Sequence, residues 1–265
     1  MPNGYRTRVR LVTFNILHGR SPERDEVDIA IFAEAIASLE ADVLALQEVD
    51  RNQARSGRAD LTAVAAEAMG ADDHLFVAAL SGSPGATWTA ATGTEQPDTA
   101  AYGIALLSRF PAVSWEVVRL PVVPGPAPMR FHGKRLPTLV REEPRVAVAA
   151  CIDSPLGQLT VATTHLSFLP WWNGHQLRTL VRSLRAAPRP LLLTGDLNMD
   201  TAKAARVSGM RPLGARCPTF PVRTPQVQLD HVLADGFEGL VAKASVRRLP
   251  VSDHLALVVD VEAAG

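Results

Sequence analysis

The chain has 265 residues, 47% of them hydrophobic and 20% charged, enough to bury a large core in one large or two ordinary domains. Its 27 Lys and Arg balance 27 Asp and Glu, so no global positive field marks it as a general nucleic-acid binder. No apolar run approaches the ~18 residues of a membrane-spanning helix, and the two cysteines, Cys151 and Cys217, have no metal-binding spacing. Few cysteines, and a polar, basic start with no apolar stretch behind it, point to the cytoplasm.

In chain order, residues 9–14 alternate and are β-rich, a strand that delivers Asn15 at its end. Asn15 reads either as a turn residue or as a donor to a phosphate or metal shell. His18, next to a glycine, reads first as a satisfied turn residue. Residues 27–39 have helical periodicity. A strand over 43–46 follows and ends on acids, of which Glu48 stands out. Hard cations such as Mg²⁺ take oxygen ligands and often only one or two carboxylates; the plainer reading of Glu48 is a solvated acid. An Ala-rich helix over 61–69 and a strand over 75–79 come next.

Residues 81–99 are rich in Gly, Ser, Thr and Pro, a long loop of the kind that is often functional. Strands over 102–109 and 113–120 form a hairpin around Pro111. The 121–143 segment carries five prolines together with Arg130, His132, Lys134, Arg135 and Arg141. It is either a solvated loop or an electropositive flap over an anionic substrate.

Strands at 145–152 and 159–164 lead to His165, then to the Trp171–Trp172 pair and a helix from about 174 to 185. Residues 191–194 form a short buried strand bounded by Pro190 and Gly195, with Gly195 as the turn that ends it. Asp196 and Asn198 follow two apart, so both face one way if the backbone stays extended. A carboxylate and an amide fixed there can hold an attacking water and an anionic oxygen. A short helix over 202–208 precedes strands at 228–234, 244–249 and 255–261. The first opens near Asp230, and the last is entered through Asp253 and His254, a suitable address for a titrating base beside a metal-binding acid. No composition break divides the chain, so a single domain over 1–265 is expected, of mixed α+β type.

Each of these polar residues is ambiguous alone, yet Asn15, Glu48, His165, Asp196, Asn198, Asp230, Asp253 and His254 all fall at or near strand ends. Acids for a metal, an Asp–His pair and amide donors are what phosphate-ester hydrolysis needs. The sequence resembles the endonuclease/exonuclease/phosphatase superfamily, the DNase I-like fold. The resemblance rests on Thr-Phe-Asn15, Leu-Gln-Glu48-Val, Tyr102-Gly-Ile-Ala-Leu-Leu-Ser-Arg109, Thr-His165-Leu, Gly-Asp196-Leu-Asn198, Leu-Asp230-His and Ser-Asp253-His254. These pieces keep the family's order across residues 13–254. They are specific for the superfamily and say little about substrate.

The resemblance implies a four-layered α/β/β/α sandwich of two mostly antiparallel sheets flanked by helices, with the site at one end. It implies a hydrolase, a phosphodiesterase or phosphatase, working with Mg²⁺ or Mn²⁺ by in-line attack of an activated water. Glu48 looks like the main metal ligand, with Asn15 and Asp253 nearby. His254 resembles the catalytic histidine, held by Asp230. Asp196 and Asn198 resemble the pair that positions water and phosphate. His165 resembles a second phosphate contact braced by Tyr102, and Arg145 takes a substrate-side place with its role open. Leu17 stands where some DNA-repair relatives carry an acid, which puts a second metal in doubt, and Asn173 departs from a common Arg three before Gln176. The expected partner is a phosphate ester, with a nucleic acid disfavoured by the neutral charge, and a monomer is expected. The alternatives are a repair-type nuclease and a phosphate-binding module that kept the fold without turnover.

Overall fold

The structure, a computed structural model, describes residues 8–129 and 138–264. In chain order its main strands are β1 (Arg8–Asn15), β2 (Val43–Arg51), β3 (Asp73–Gly82), β4 (Trp88–Ala90), β5 (Ala101–Ser108), β6 (Ala112–Arg119), β7 (Val146–Ser154), β8 (Gly157–His165), β9 (Leu191–Asp196), β10 (Arg211–Pro212), β11 (Asp230–Asp235), β12 (Leu240–Arg247) and β13 (Ala256–Ala263). The helices are α1 (Ile29–Ser38), α2 (Leu61–Met69), α3 (Asn173–Ser183) and α4 (Thr201–Ser208). Two short hairpins, Arg20–Ser21 with Glu26–Val27 and Ala127–Met129 with Thr138–Val140, lie outside the large sheets.

Two sheets carry the fold. One runs β12-β13-β1-β2-β5-β3-β4, the other β10-β11-β9-β8-β7-β6. Each is antiparallel except for one parallel pair, β1 with β2 and β8 with β9. Each of those pairs is joined by a helical crossover, α1 in the first sheet and α3 in the second, because parallel neighbours need a long connection.

Burial on both faces explains the near-continuous apolar strands. Leu11, Val43 and Ile104 of the first sheet meet Val148, Val161, Leu192 and Val232 of the second in a core between the sheets. Phe14, Leu44 and Leu46 turn the other way, onto Phe32 and Ile36 of α1 and Leu61 of α2. Leu193 and Leu233 likewise turn onto Leu177 and Leu180 of α3 and Ala204 of α4. The result is the four layers the resemblance implied. Helix starts follow ordinary capping. Asp28, Asp60 and Asp200 each accept backbone N–H bonds at the N-termini of α1, α2 and α4.

Several local expectations change. Gly195 does not end its strand; β9 continues through it to Asp196. Its lack of a side chain serves close packing instead, since a Cβ there would lie 1.9 Å from the Thr164 carbonyl oxygen of β8. The 81–99 segment contains β4, which pairs with the end of β3. Arg130, His132, Lys134 and Arg135 of the expected basic flap lie outside the described residues; Arg141 is exposed. No helix among the described residues is long and apolar enough to cross a membrane.

Candidate active site

The C-terminal ends of both parallel pairs open on the same rim of the sandwich. Asn15 closes β1, His165 closes β8 and Asp196 closes β9. Asp230 opens β11 directly opposite Asp196 in the ladder. Glu48 reaches the rim through a bulge. Gln47 pairs with Ile104 and Val49 with Gly103, which leaves Glu48 as the extra residue at φ 57°. A bulge of this kind re-aims a side chain that the pleat would otherwise fix. Across from it, Gly103 is required, because a Cβ would sit 2.0 Å from the Val77 carbonyl oxygen.

Direct contacts tie these ends together. The Asn15 amide Nδ2 donates to Glu48 Oε1 at 3.0 Å and to Asp196 Oδ2 at 3.1 Å, so one side chain of the first sheet bridges carboxylates from both sheets. Its Oδ1 accepts the Leu17 N–H at 3.1 Å. His254 Nδ1 donates to Asp230 Oδ2 at 2.8 Å, and His254 Nε2 lies 3.8 Å from Asp196 Oδ2. Asn198 Nδ2 reaches His165 Nε2 at 3.2 Å and the Leu166 carbonyl at 3.0 Å. The backbone at Asn198 is left-handed, φ 50°, rather than extended. Asp196 and Asn198 meet through a tight turn in which the Asn198 N–H donates to Asp196 Oδ1 at 3.0 Å.

The electrostatics divide the two histidines. Burial opposes the charge on His254, but the carboxylates of Asp230, Asp196 and Asp253 outweigh it and push its pKa up to about 10. Burial holds His165 well below its ordinary range, and the positive charges of Arg145 and His254 add to that. Burial also raises the Asp196 carboxyl, with Asp230's charge in the same direction and His254 opposing both.

Glu48 and Asp253 fit a hard divalent cation. Burial raises the Glu48 carboxyl, the Asn15 hydrogen bond opposes this, and the negative charge of Asp253 adds to the rise. A carboxyl raised by burial and by a neighbouring acid at a partly exposed rim is a donor whose charge a cation would relieve. Asn15 turns its nitrogen, not its oxygen, toward Glu48. Asp196, Asp230 and His254 form a second cluster, with one ligand atom each within 4.8 Å of one another. The hydrogen bond to Asp230 already occupies His254 Nδ1, and a metal-bound imidazole must be neutral, so this cluster is better described as a hydrogen-bonded dyad beside a carboxylate.

Arg145 is buried and paired with Glu142 at 2.9 Å and Glu143 at 3.7 Å. It lines a small cavity together with Tyr102 and His165. Tyr102 packs against Trp88, ring centroids 5.8 Å apart, and under the Arg55 guanidinium at 5.5 Å. His18 is half-buried near Arg55 and Asp50; burial and the positive charge of Arg55 lower its pKa to about 4. Trp171 is 59% exposed, while Trp172 is half-buried and donates to the Pro121 carbonyl at 3.1 Å.

Two neighbours escaped the sequence reading. Ser252, at φ 74°, donates from Oγ to the Asn15 carbonyl at 2.5 Å and accepts the His254 N–H at 3.0 Å, which ties β1 to the entry of β13. Phe220 packs on the His254 ring with centroids 4.9 Å apart. The Ser252 signal was present in Ser-Asp-His; Phe220 sits in an irregular segment with no periodicity to mark it.

The structure resembles an endonuclease/exonuclease/phosphatase from Beutenbergia cavernae, with 24% identity over 97% of this chain and 72% of that one, TM-score 0.68. It resembles sphingomyelinase C from Streptomyces griseocarneus, with 16% identity over 96% and 99%, TM-score 0.64. A mannosyl-6-phosphatase from Bacteroides thetaiotaomicron is 15% identical over 96% and 99%, TM-score 0.61. No curated protein sequence matches the chain. At these identities the likeness is one of fold, whereas the family model matches residues 12–254, nearly the full length. The chain belongs to the endonuclease/exonuclease/phosphatase family.

Proposed function

We propose that the protein hydrolyses phosphate esters with a divalent metal, Mg²⁺ or Mn²⁺, by in-line attack of water. The observation that carries this reading is the Asn15 amide, hydrogen-bonded to Glu48 on one side and Asp196 on the other. It joins the acids suited to a cation with the carboxylate beside the His254–Asp230 dyad.

Glu48 and Asp253 would hold the cation, with Asn15 fixing Glu48. The bound metal supplies charge neutralisation for the phosphoryl oxygens. Asp196, its carboxyl raised by burial and braced by Asn15 and the Asn198 N–H, orients the attacking water and takes its proton. His254 carries its proton on Nε2, with Nδ1 committed to Asp230, and stabilises the charge that builds on phosphorus-bound oxygen. The Asn198 amide and neutral His165 position the phosphoryl group. The neutral chain charge favours a small phosphodiester or phosphomonoester over a nucleic acid.

The test is hydrolysis of bis-(p-nitrophenyl) phosphate with and without Mg²⁺. Glu48→Ala and His254→Ala are each expected to lower kcat by about 10²–10⁴-fold. Full activity in both variants would overturn the assignment. Tight phosphate binding without turnover in the unaltered protein would favour the non-catalytic alternative.

A further inference from the structure

Two consecutive carbonyls of the turn that carries Asn198 are each held by a buried side chain. The Asn173 amide Nδ2, at the start of α3, donates to the Asn198 carbonyl at 2.8 Å. His231 of β11 donates from Nε2 to the Met199 carbonyl at 2.8 Å. Both Asn173 and His231 are buried. Asn198 needs such support. Its left-handed backbone, φ 50°, is one that an L-residue keeps where its surroundings over-determine it. That backbone aims the Asn198 amide at His165 Nε2, 3.2 Å away.

The direction of the Asn173 amide is set from α4. Lys203 Nζ donates to Asn173 Oδ1 at 2.8 Å and also to the Pro170 carbonyl. An ammonium only donates and a carbonyl only accepts, so the two partners enforce the same orientation, oxygen to Lys203 and nitrogen to Asn198. Position 173 is also where the family resemblance leads to an arginine; here Lys203 brings the positive charge from a different helix. Its two bonds join α4, which follows the Asn198 turn, to the segment after His165.

We propose that Asn173 and Lys203 form a clamp that positions Asn198 against His165, which makes them positioning residues for the phosphoryl group. This deepens the phosphoesterase reading and rests on it for the role of Asn198. The clamp acts through the backbone of Asn198, whose direction it fixes.

The test uses the full chain and two readouts. Asn173→Asp keeps the size and the acceptor for Lys203 but sets an oxygen against the Asn198 carbonyl. Lys203→Met keeps the stem and removes the donor from a half-buried position. Imidazole NMR needs no turnover: in both variants the His165 signals are expected to move toward those of Asn198→Ala. In Mg²⁺-dependent hydrolysis of bis-(p-nitrophenyl) phosphate, Asn173→Asp is expected to lower kcat/KM about tenfold, mainly through KM, in keeping with one lost hydrogen bond. Combined with Asn198→Ala it is expected to cost nothing further, because its effect passes through that side chain. Unmoved His165 signals, or a loss of the same size with and without the Asn198 side chain, overturn the clamp; the second result marks a general structural role. If Asn173→Asp does not fold, Lys203→Met carries the same cycle. An unaltered protein with no turnover overturns the phosphoesterase reading, and the His165 signals then decide the clamp alone.

Discussion

His254 and His165 are both buried, and each brings Nε2 within 4 Å of the same atom, Asp196 Oδ2, at 3.8 and 3.6 Å. Their charge states are nevertheless driven apart. Burial disfavours the imidazolium in both, so the second partner decides. His254 has the Asp230 carboxylate at 2.8 Å on Nδ1, whereas His165 has the neutral Asn198 amide at 3.2 Å and the positive charge of Arg145 nearby. One rim thus holds a histidine pushed toward its charged form and one pushed toward its neutral form side by side.

The contrast breaks most directly at Asp230. Asp230→Asn removes the charge that holds His254 protonated, and kcat is expected to fall on the order of 10³-fold. Imidazole NMR should show the His254 pKa dropping from the high value toward or below the ordinary range. Retention of both rate and protonation would contradict the assignment. Asn198→Asp attacks the other side. A carboxylate in place of the amide should raise the His165 pKa and repel an anionic substrate, for about a 10- to 100-fold loss in kcat/KM, expressed mainly in KM. An unchanged KM would show that Asn198 does not face the phosphate.

A smaller effect is expected beneath the rim. Gln47 Nε2 donates to Thr13 Oγ1 and to Thr163 Oγ1, both at 3.1 Å, a buried polar bridge between the two sheets. Gln47→Leu leaves both hydroxyls short of a partner and should cost about 1–3 kcal/mol in urea unfolding while changing kcat little. A loss of activity as large as that of Asp230→Asn would mean that the sheets' alignment, not the dyad, limits catalysis.

The smallest effect is on stability against pH. His165 is neutral in the fold, while an unfolded His binds a proton near pH ~6.5. Its contribution is fully present above that pH and is lost as pH falls toward its lowered folded value. His254 behaves oppositely. Its contribution is full below pH ~6.5 and is lost as pH rises toward about 10. Thermal melts of His165→Asn between pH 5 and 7 should show a shallower acid-side decline than the unaltered chain; an identical slope would show that His165 is not held neutral.

How much of the fold and site is legible in the sequence depends on whether a residue's position follows from period alone. Asn15 ends a strand that alternation marks, and His165 follows a β-rich run; Asp196 is expected just beyond a continuous apolar strand, which the structure extends through Gly195 to include it. α2 falls on its expected limits because Asp60 and Gly70 punctuate it. Glu48 is visible as a strand-end acid, but its aim depends on a bulge against Gly103, and pairing partners are not written locally. Asn198 is expected on an extended backbone, yet its side chain reaches His165 because the chain turns left-handed there. The β4 arm is hidden because three residues within a Gly- and Thr-rich stretch carry too little pattern.

If Glu48 from one sheet and Asp230 from the other act in one site, their effects on turnover are coupled. A double-mutant cycle of Glu48→Gln and Asp230→Asn, read as Mg²⁺-dependent diester hydrolysis, addresses it directly. The double variant is expected to be about as slow as the worse single variant. Losses that multiply independently would contradict it.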